Sequence, residues 1–136
     1  MKPLLRVLDA YCVIAYLEGE DGKDRMIEVI QAARNTGRDL LLSVVNWGEV
    51  YYIALRETGR KQAEKVSHAI STLPIQIIPA DLELARQAAE FKAKCRMSYA
   101  DCFAAALARL HNAELVTGDP DFRQVENEVK VLWLHD

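Results

Sequence analysis

Five short apolar runs, Leu4–Leu8, Leu40–Val45, Ile75–Ile78, Glu114–Val116 and Val129–Leu134, alternate with stretches of helical spacing. This alternation constrains the fold more than any other feature of the chain. Runs of this length suit buried strands, and the segments between them are long enough to cross back over a sheet. Strands joined by helical crossovers lie parallel, with helices covering both faces. At 136 residues the chain makes one domain, spanning 1–136, that buries about two-thirds of its unfolded surface. It contains no internal repeat, low-complexity tract or linker.

The intervening helices have readable ends. Tyr11–Leu17 is apolar on every side, as a short buried helix is. Asp24–Thr36 carries Met26, Ile27, Ile30 and Ala33 on one side, and Gly37 is its stop. Asn46 opens a helix bearing Val50, Ile53 and Ala54; Gly59 punctuates it, and Lys61–Leu73 continues with Ala63, Val66, Ile70 and Leu73. Pro74 and Pro79 bracket the third strand. Asp81 caps the next helix, with Leu84, Ala85, Ala88 and Phe91 inward. Ser98–Leu110, rich in alanine, is the clearest helix, ended by His111-Asn112, since Asn tolerates the left-handed conformation. Pro120–Phe122 reads as a helical turn.

Bulk composition excludes some classes. No stretch approaches the ~18–20 uninterrupted apolar residues of a membrane span, so no membrane association is expected. The N-terminus has a basic start and an apolar stretch, but Asp9 interrupts it and no small-residue cleavage site follows, against a signal peptide. Cys12, Cys95 and Cys102 are odd in number without C-x-x-C spacing, which points to buried reduced thiols and a cytoplasmic protein. The net charge of −3 argues against a broad nucleic-acid-binding surface without excluding a local one. Lys92, Lys94 and Arg96 form one basic cluster and Arg56, Arg60 and Lys61 another; solvated helix faces account for either on its own.

Four carboxylates, Asp9, Glu49, Asp101 and Asp119, fall where a strand-like run ends or in the helix start that follows. Capping explains each singly. Ser98-Tyr99-Ala100-Asp101 has the form of a capping box, Asn46-Trp47-Gly48-Glu49 is a looser version, and Asp119-Pro120 and Asp9 each precede a helix start. Together they say more, because one parallel sheet gathers all four above its carboxyl edge, where ligands bind in open α/β sheets. Such a cluster raises its own pKa values and opposes folding unless a cation intervenes. Hard oxygen ligands without a nearby His or Cys set favour Mg2+ or Mn2+ over zinc. The best-known chemistry of such a site is phosphodiester hydrolysis by metal-activated water.

Thr117 and Gly118 sharpen the last acid: Gly118 permits a tight turn after the strand, and the Thr117 hydroxyl can bond a carboxylate or a water. Asp121 adds a fifth acid, as a metal contact or as a favourable charge in a helix first turn. His68, His111 and His135 are scattered and read as surface or structural residues.

The segments VLDAYCVIAYL, SVVNWGEVYYIALR, MSYADCFAAALARLHNAELVTGDPDF and VKVLWL resemble, in order and over nearly the whole chain, the PIN-domain ribonucleases, especially the VapC-like toxins of toxin–antitoxin pairs. The segment from Ser98 to Phe122 is quite specific, whereas the Asp9 motif alone is weak. The resemblance implies a three-layer α/β/α sandwich with a five-stranded parallel sheet. It also implies Mg2+- or Mn2+-dependent endonucleolytic cleavage of RNA. By motif, Asp9, Glu49, Asp101 and Asp119 correspond to the four family acids, Asp121 to a less regular one, and Thr117 and Ser98 to supporting polar positions. Homodimers, and an antitoxin whose C-terminal tail covers the active-site groove, are further implications. One departure stands out. Tyr11 occupies a position, two after the first acid, where the family usually has a small hydroxyl or amide residue. Its phenol can reach a metal water or phosphate, its bulk can narrow the site, or it can pack under the helix.

The alternative to a nuclease toxin is a non-catalytic PIN-like module that binds RNA or a protein partner, motivated by Tyr11 and the acidic balance. A phospho-receiver-like domain also clusters acids at strand ends, but expects paired acids after the first strand and a lysine at the end of the last; this chain has neither. Tyr51, Tyr52 and Leu55 exceed what one core-facing stripe needs, so they are either a homodimer face or plain core.

Overall fold

Each strand of the protein is only three or four residues long, and the central ones are apolar on both sides. That pattern suits a sheet buried between two helical layers, and a computed structural model, describing residues 5–135, has that architecture. The elements run β1 (Arg6–Leu8), α1 (Ala10–Glu18), α2 (Lys23–Thr36), β2 (Leu40–Ser43), α3 (Val44–Thr58), α4 (Arg60–Ser71), β3 (Ile75–Ile78), α5 (Leu82–Lys94), α6 (Tyr99–Leu110), β4 (Glu114–Thr117), a 3-10 turn (Pro120–Val125) and β5 (Val131–Trp133). The sheet has five parallel strands in the order β3-β2-β1-β4-β5. Leu4, at the start of the expected first strand, lies outside the described residues.

Side chains alternate across the sheet with period two. Val7, Leu41 and Leu115 pack with Leu84, Ala88 and Phe91 of α5 and the small side chains of α6. Leu8, Leu40, Leu42 and Val116 face the other way, onto Val13 of α1, Met26 and Ile30 of α2, Val50 of α3 and Ile70 of α4. Residues Cys102–Ala108 of α6 are all buried, and mostly alanine-sized side chains let a helix sink that deeply against its neighbours. No helix among the described residues is long and apolar enough to cross a membrane.

The boundary between β2 and α3 differs from the expectation. The strand ends at Ser43 and the helix begins at Val44, where the Ser43 hydroxyl accepts the Val45 N–H at 3.2 Å. β-branched Val44 and Val45 look like strand residues in isolation, but the serine cap starts the helix before them. Asn46 therefore opens nothing: it lies inside the first turn, buried, and Glu49 is a second-turn residue with no part in a cap. The last helical turn also runs further than expected, to Val125, because Phe122 and Val125 are both drawn into the core. Asn112, with φ 50°, does end the α6 region in the left-handed conformation.

Candidate metal centre

The carboxyl edge of the sheet is lined by helix starts, and several of their caps are made by the acids themselves. Asp9 precedes α1, where Oδ1 accepts the Cys12 N–H at 2.9 Å. Its Oδ2 accepts a short hydrogen bond from the Thr117 hydroxyl at the end of β4. Thr117 Oγ1 in turn accepts the Asp119 N–H at 3.0 Å, so one hydroxyl ties the first acid to the last. Asp119 caps the 3-10 turn, its Oδ1 accepting the Asp121 N–H at 2.9 Å. Pro120 at the first position loses nothing, because its missing N–H would have had no partner there. Capping and site formation thus use the same residues.

Asp101 enters from α6. Ser98 caps that helix, its hydroxyl accepting the Asp101 N–H at 3.1 Å. The structure brings Asp101, Asp119 and Asp121 together: one carboxylate oxygen from each lies within 4.8 Å of the other two. Asp9 lies outside that triad and is fully buried, whereas Asp121 belongs to it. Glu49 approaches from α3, half-buried. Asn46, one turn earlier on α3, donates from Nδ2 to the Ala100 carbonyl at 3.0 Å and so fixes α3 against the first turn of α6.

The electrostatics are those of a site short of positive charge. Burial pushes the Asp9 carboxyl up to about 7, outweighing the hydrogen bonds from Thr117 and Cys12 that favour its anion. Asp101 is raised to about 6, first by burial and then by the charges of Asp119 and Glu49. An anion in a helix first turn gains at most about 1 kcal/mol at an exposed site, so burial and like charge win at Asp101. Glu49 is also raised, by burial foremost and by Asp119, against a favourable contact with Asn46. Its Oε1 is buried with no hydrogen-bond partner, as is Asn46 Oδ1.

These residues fit a hard divalent cation. A buried carboxylate oxygen without a donor carries a desolvation cost of a few kcal/mol, order of magnitude, unless a cation or water meets it. Three convergent carboxylates supply the oxygen ligands that Mg2+ or Mn2+ takes, and no thiolate or imidazole competes within the triad.

Two participants escape a reading of the sequence. Asn46 looks like a helix start and is instead a buried brace. His135 looks like an isolated terminal histidine, yet its Nε2 lies 2.9 Å from the Tyr11 hydroxyl, across 124 positions of sequence. Only the pairing of β5 beside β4 places it there. Tyr11 does not pack under its helix; it is 40 % exposed.

Half of the side chains in the two basic clusters are engaged elsewhere. Lys92 donates to the Met97 carbonyl, Lys94 pairs with Glu128, and Arg56 lies over the Tyr52 ring. On α3, Trp47 and Tyr51 stack with centroids 5.1 Å apart, Tyr51 donates to Glu64 of α4, and Tyr52 is 50 % exposed. Tyr51 and Leu55 are half-buried, so the stripe is divided between core and surface.

The fold agrees with comparison to known proteins. The PIN domain model matches residues 6–128, and the chain belongs to that family. No curated protein matches the sequence. Among solved structures, a toxin–antitoxin complex from Klebsiella pneumoniae is similar at 20 % identity, covering 96 % of this chain and 98 % of that one, with a TM-score of 0.72. VapBC2 from Rickettsia felis, bound to a DNA fragment from its promoter, is similar at 18 % identity over 95 % and 98 %, TM-score 0.73. VapC20 of Mycobacterium tuberculosis, a sarcin–ricin loop cleaving toxin, is similar at 17 % identity over 88 % and 94 %, TM-score 0.70. At these identities the likeness establishes the fold, a PIN-like α/β/α sandwich.

Proposed function

We propose that this protein is a metal-dependent RNA endonuclease and the toxin of a toxin–antitoxin pair. The observation that carries the reading is the convergence of Asp101, Asp119 and Asp121, with the partnerless buried oxygen of Glu49 approaching from α3. Asp101, Asp119, Asp121 and Glu49 would hold Mg2+ or Mn2+, with Asp9 as the buried acid behind them. The ion, when bound, makes a coordinated water more acidic and offsets charge on the phosphodiester oxygens. Thr117 ties the Asp9 carboxylate to the Asp119 backbone, and Ser98 holds the Asp101 backbone while leaving its carboxyl group in the cluster. Asn46 fixes the distance between α3 and α6, and hence between Glu49 and Asp101.

Family membership and the toxin–antitoxin complexes among similar folds support a cognate antitoxin as partner. The exposed aromatic side of α3 supports a homodimer, and the three free cysteines support a cytoplasmic setting. Purified protein should cleave structured RNA with Mg2+ or Mn2+, and an Asp101→Asn variant should not. Equal cleavage by both would point to contamination and remove the reading. Growth arrest on expression, rescued by a small neighbouring reading frame, tests the toxin assignment. The second reading, a non-catalytic RNA- or protein-binding module, draws on bulky Tyr11 at the rim of the acids; RNA binding without cleavage by either protein would favour it.

A further inference from the structure

The phenol that departs from the family pattern is held in a specific place. Tyr11 Oη and His135 Nε2 are 2.9 Å apart, and the two rings meet edge to face, 5.9 Å between centroids at 77°. Both rings close over Gly118, the residue between Thr117 and Asp119. A Cβ there would fall 2.4 Å from Tyr11 Cε1 and 2.6 Å from His135 Nε2, so the pair occupies the space that glycine leaves open. The first turn of α1, the turn after β4 and the segment after β5 are thereby joined by one aromatic contact at the edge of the acid cluster.

The surroundings of that ring are anionic. Burial foremost, and then the charges of Glu20 and Asp21 from the α1–α2 connection and of Asp119 and Asp9, hold the Tyr11 hydroxyl above its ordinary range. A phosphate is repelled there, whereas an uncharged base is not. Tyr11 is 40 % exposed and its side chain is already held by His135, so stacking on it loses little side-chain freedom.

We propose that Tyr11, fixed by His135 and bare Gly118, is a stacking platform for a nucleobase next to the scissile phosphate of single-stranded RNA. This rests on the nuclease reading above. The platform selects unpaired over duplex RNA, because a base must be unstacked from its neighbours to lie on a protein ring.

The test uses a short single-stranded RNA carrying fluorescent aminopurine, mixed with the full chain and Mg2+ and read by stopped flow before turnover, with anisotropy alongside. Wild type and Tyr11→Phe, which keeps the ring, should quench the aminopurine and bind within about twofold of each other. Tyr11→Ser should lose the quench and bind about tenfold more weakly, as loss of one stacked base implies. Tyr11→Leu keeps apolar bulk for folding and should also lose the quench. An unchanged quench in folded Tyr11→Ser or Tyr11→Leu overturns the platform, as does wild-type binding without quench, and both leave the nuclease reading intact. Wild type that neither binds nor cleaves RNA overturns both together.

Discussion

Replacing Asp9 by asparagine should have an effect on stability that depends on pH when no metal is present. The folded-state pKa of about 7 lies above the ordinary value of 3.8, so the protonated form is the one the fold favours. The stabilisation this gives is fully present below the unfolded pKa and is lost as pH rises through the folded one. Between about pH 5.5 and about pH 8.5, the unfolded carboxyl is ionised throughout while the folded one gives up its proton. At about 1.36 kcal/mol per unit, the wild type loses about 2 kcal/mol over that window from this group alone. The amide of the Asp9→Asn variant is neutral at both pH values and loses none of it. That amide has one acceptor oxygen where the carboxylate has two, so either the Cys12 N–H or the Thr117 hydroxyl loses its partner, at about 1 kcal/mol. Asp9→Asn should therefore gain about 2 kcal/mol on wild type between the acid end and the alkaline end of that window, because its hydrogen-bond cost is the same at both. Urea unfolding in chelator at the two pH values measures this directly. A stability difference that does not vary with pH would refute the reasoning, since it would mean that Asp9 ionises as easily folded as unfolded.

Thr117→Val should leave Asp9 without its hydroxyl donor and Asp119 without an acceptor for its N–H, weakening Mn2+ affinity about 10–100-fold in a calorimetric titration. Ser98→Ala should cost about 1 kcal/mol in urea unfolding through loss of the α6 cap. Asn112→Ala should cost at most about 1 kcal/mol by the same measurement, because alanine enters the left-handed region at φ 50° less readily than asparagine.

The fold was legible in the sequence because short apolar runs and helical spacing leave few alternatives. The boundary at Ser43 was not, since Val44 and Val45 satisfy a strand or a buried helix equally and only the serine cap decides. The acids were visible one at a time, as caps, and their convergence follows from strand order. What spacing cannot show is which oxygen meets which. Asp121 joins Asp101 and Asp119 because Asp119 caps its N–H and draws it in, while Asp9 is committed to Thr117. The Tyr11–His135 contact depends on β5 lying beside β4, a pairing no local pattern encodes.

Helix α6 carries Asp101 at its start and a fully buried, mostly small-residue stretch, Cys102–Ala108, immediately after it. Asp101, proposed above as a metal ligand, is therefore fixed to a tightly packed part of the core. A methyl group added at Ala105, one helical turn along from Asp101, has no exposed side to grow toward and must tilt the whole rod. Titration with Mn2+ would register that tilt as a fall in affinity while the protein remained folded, so core packing here would also control the proposed metal site.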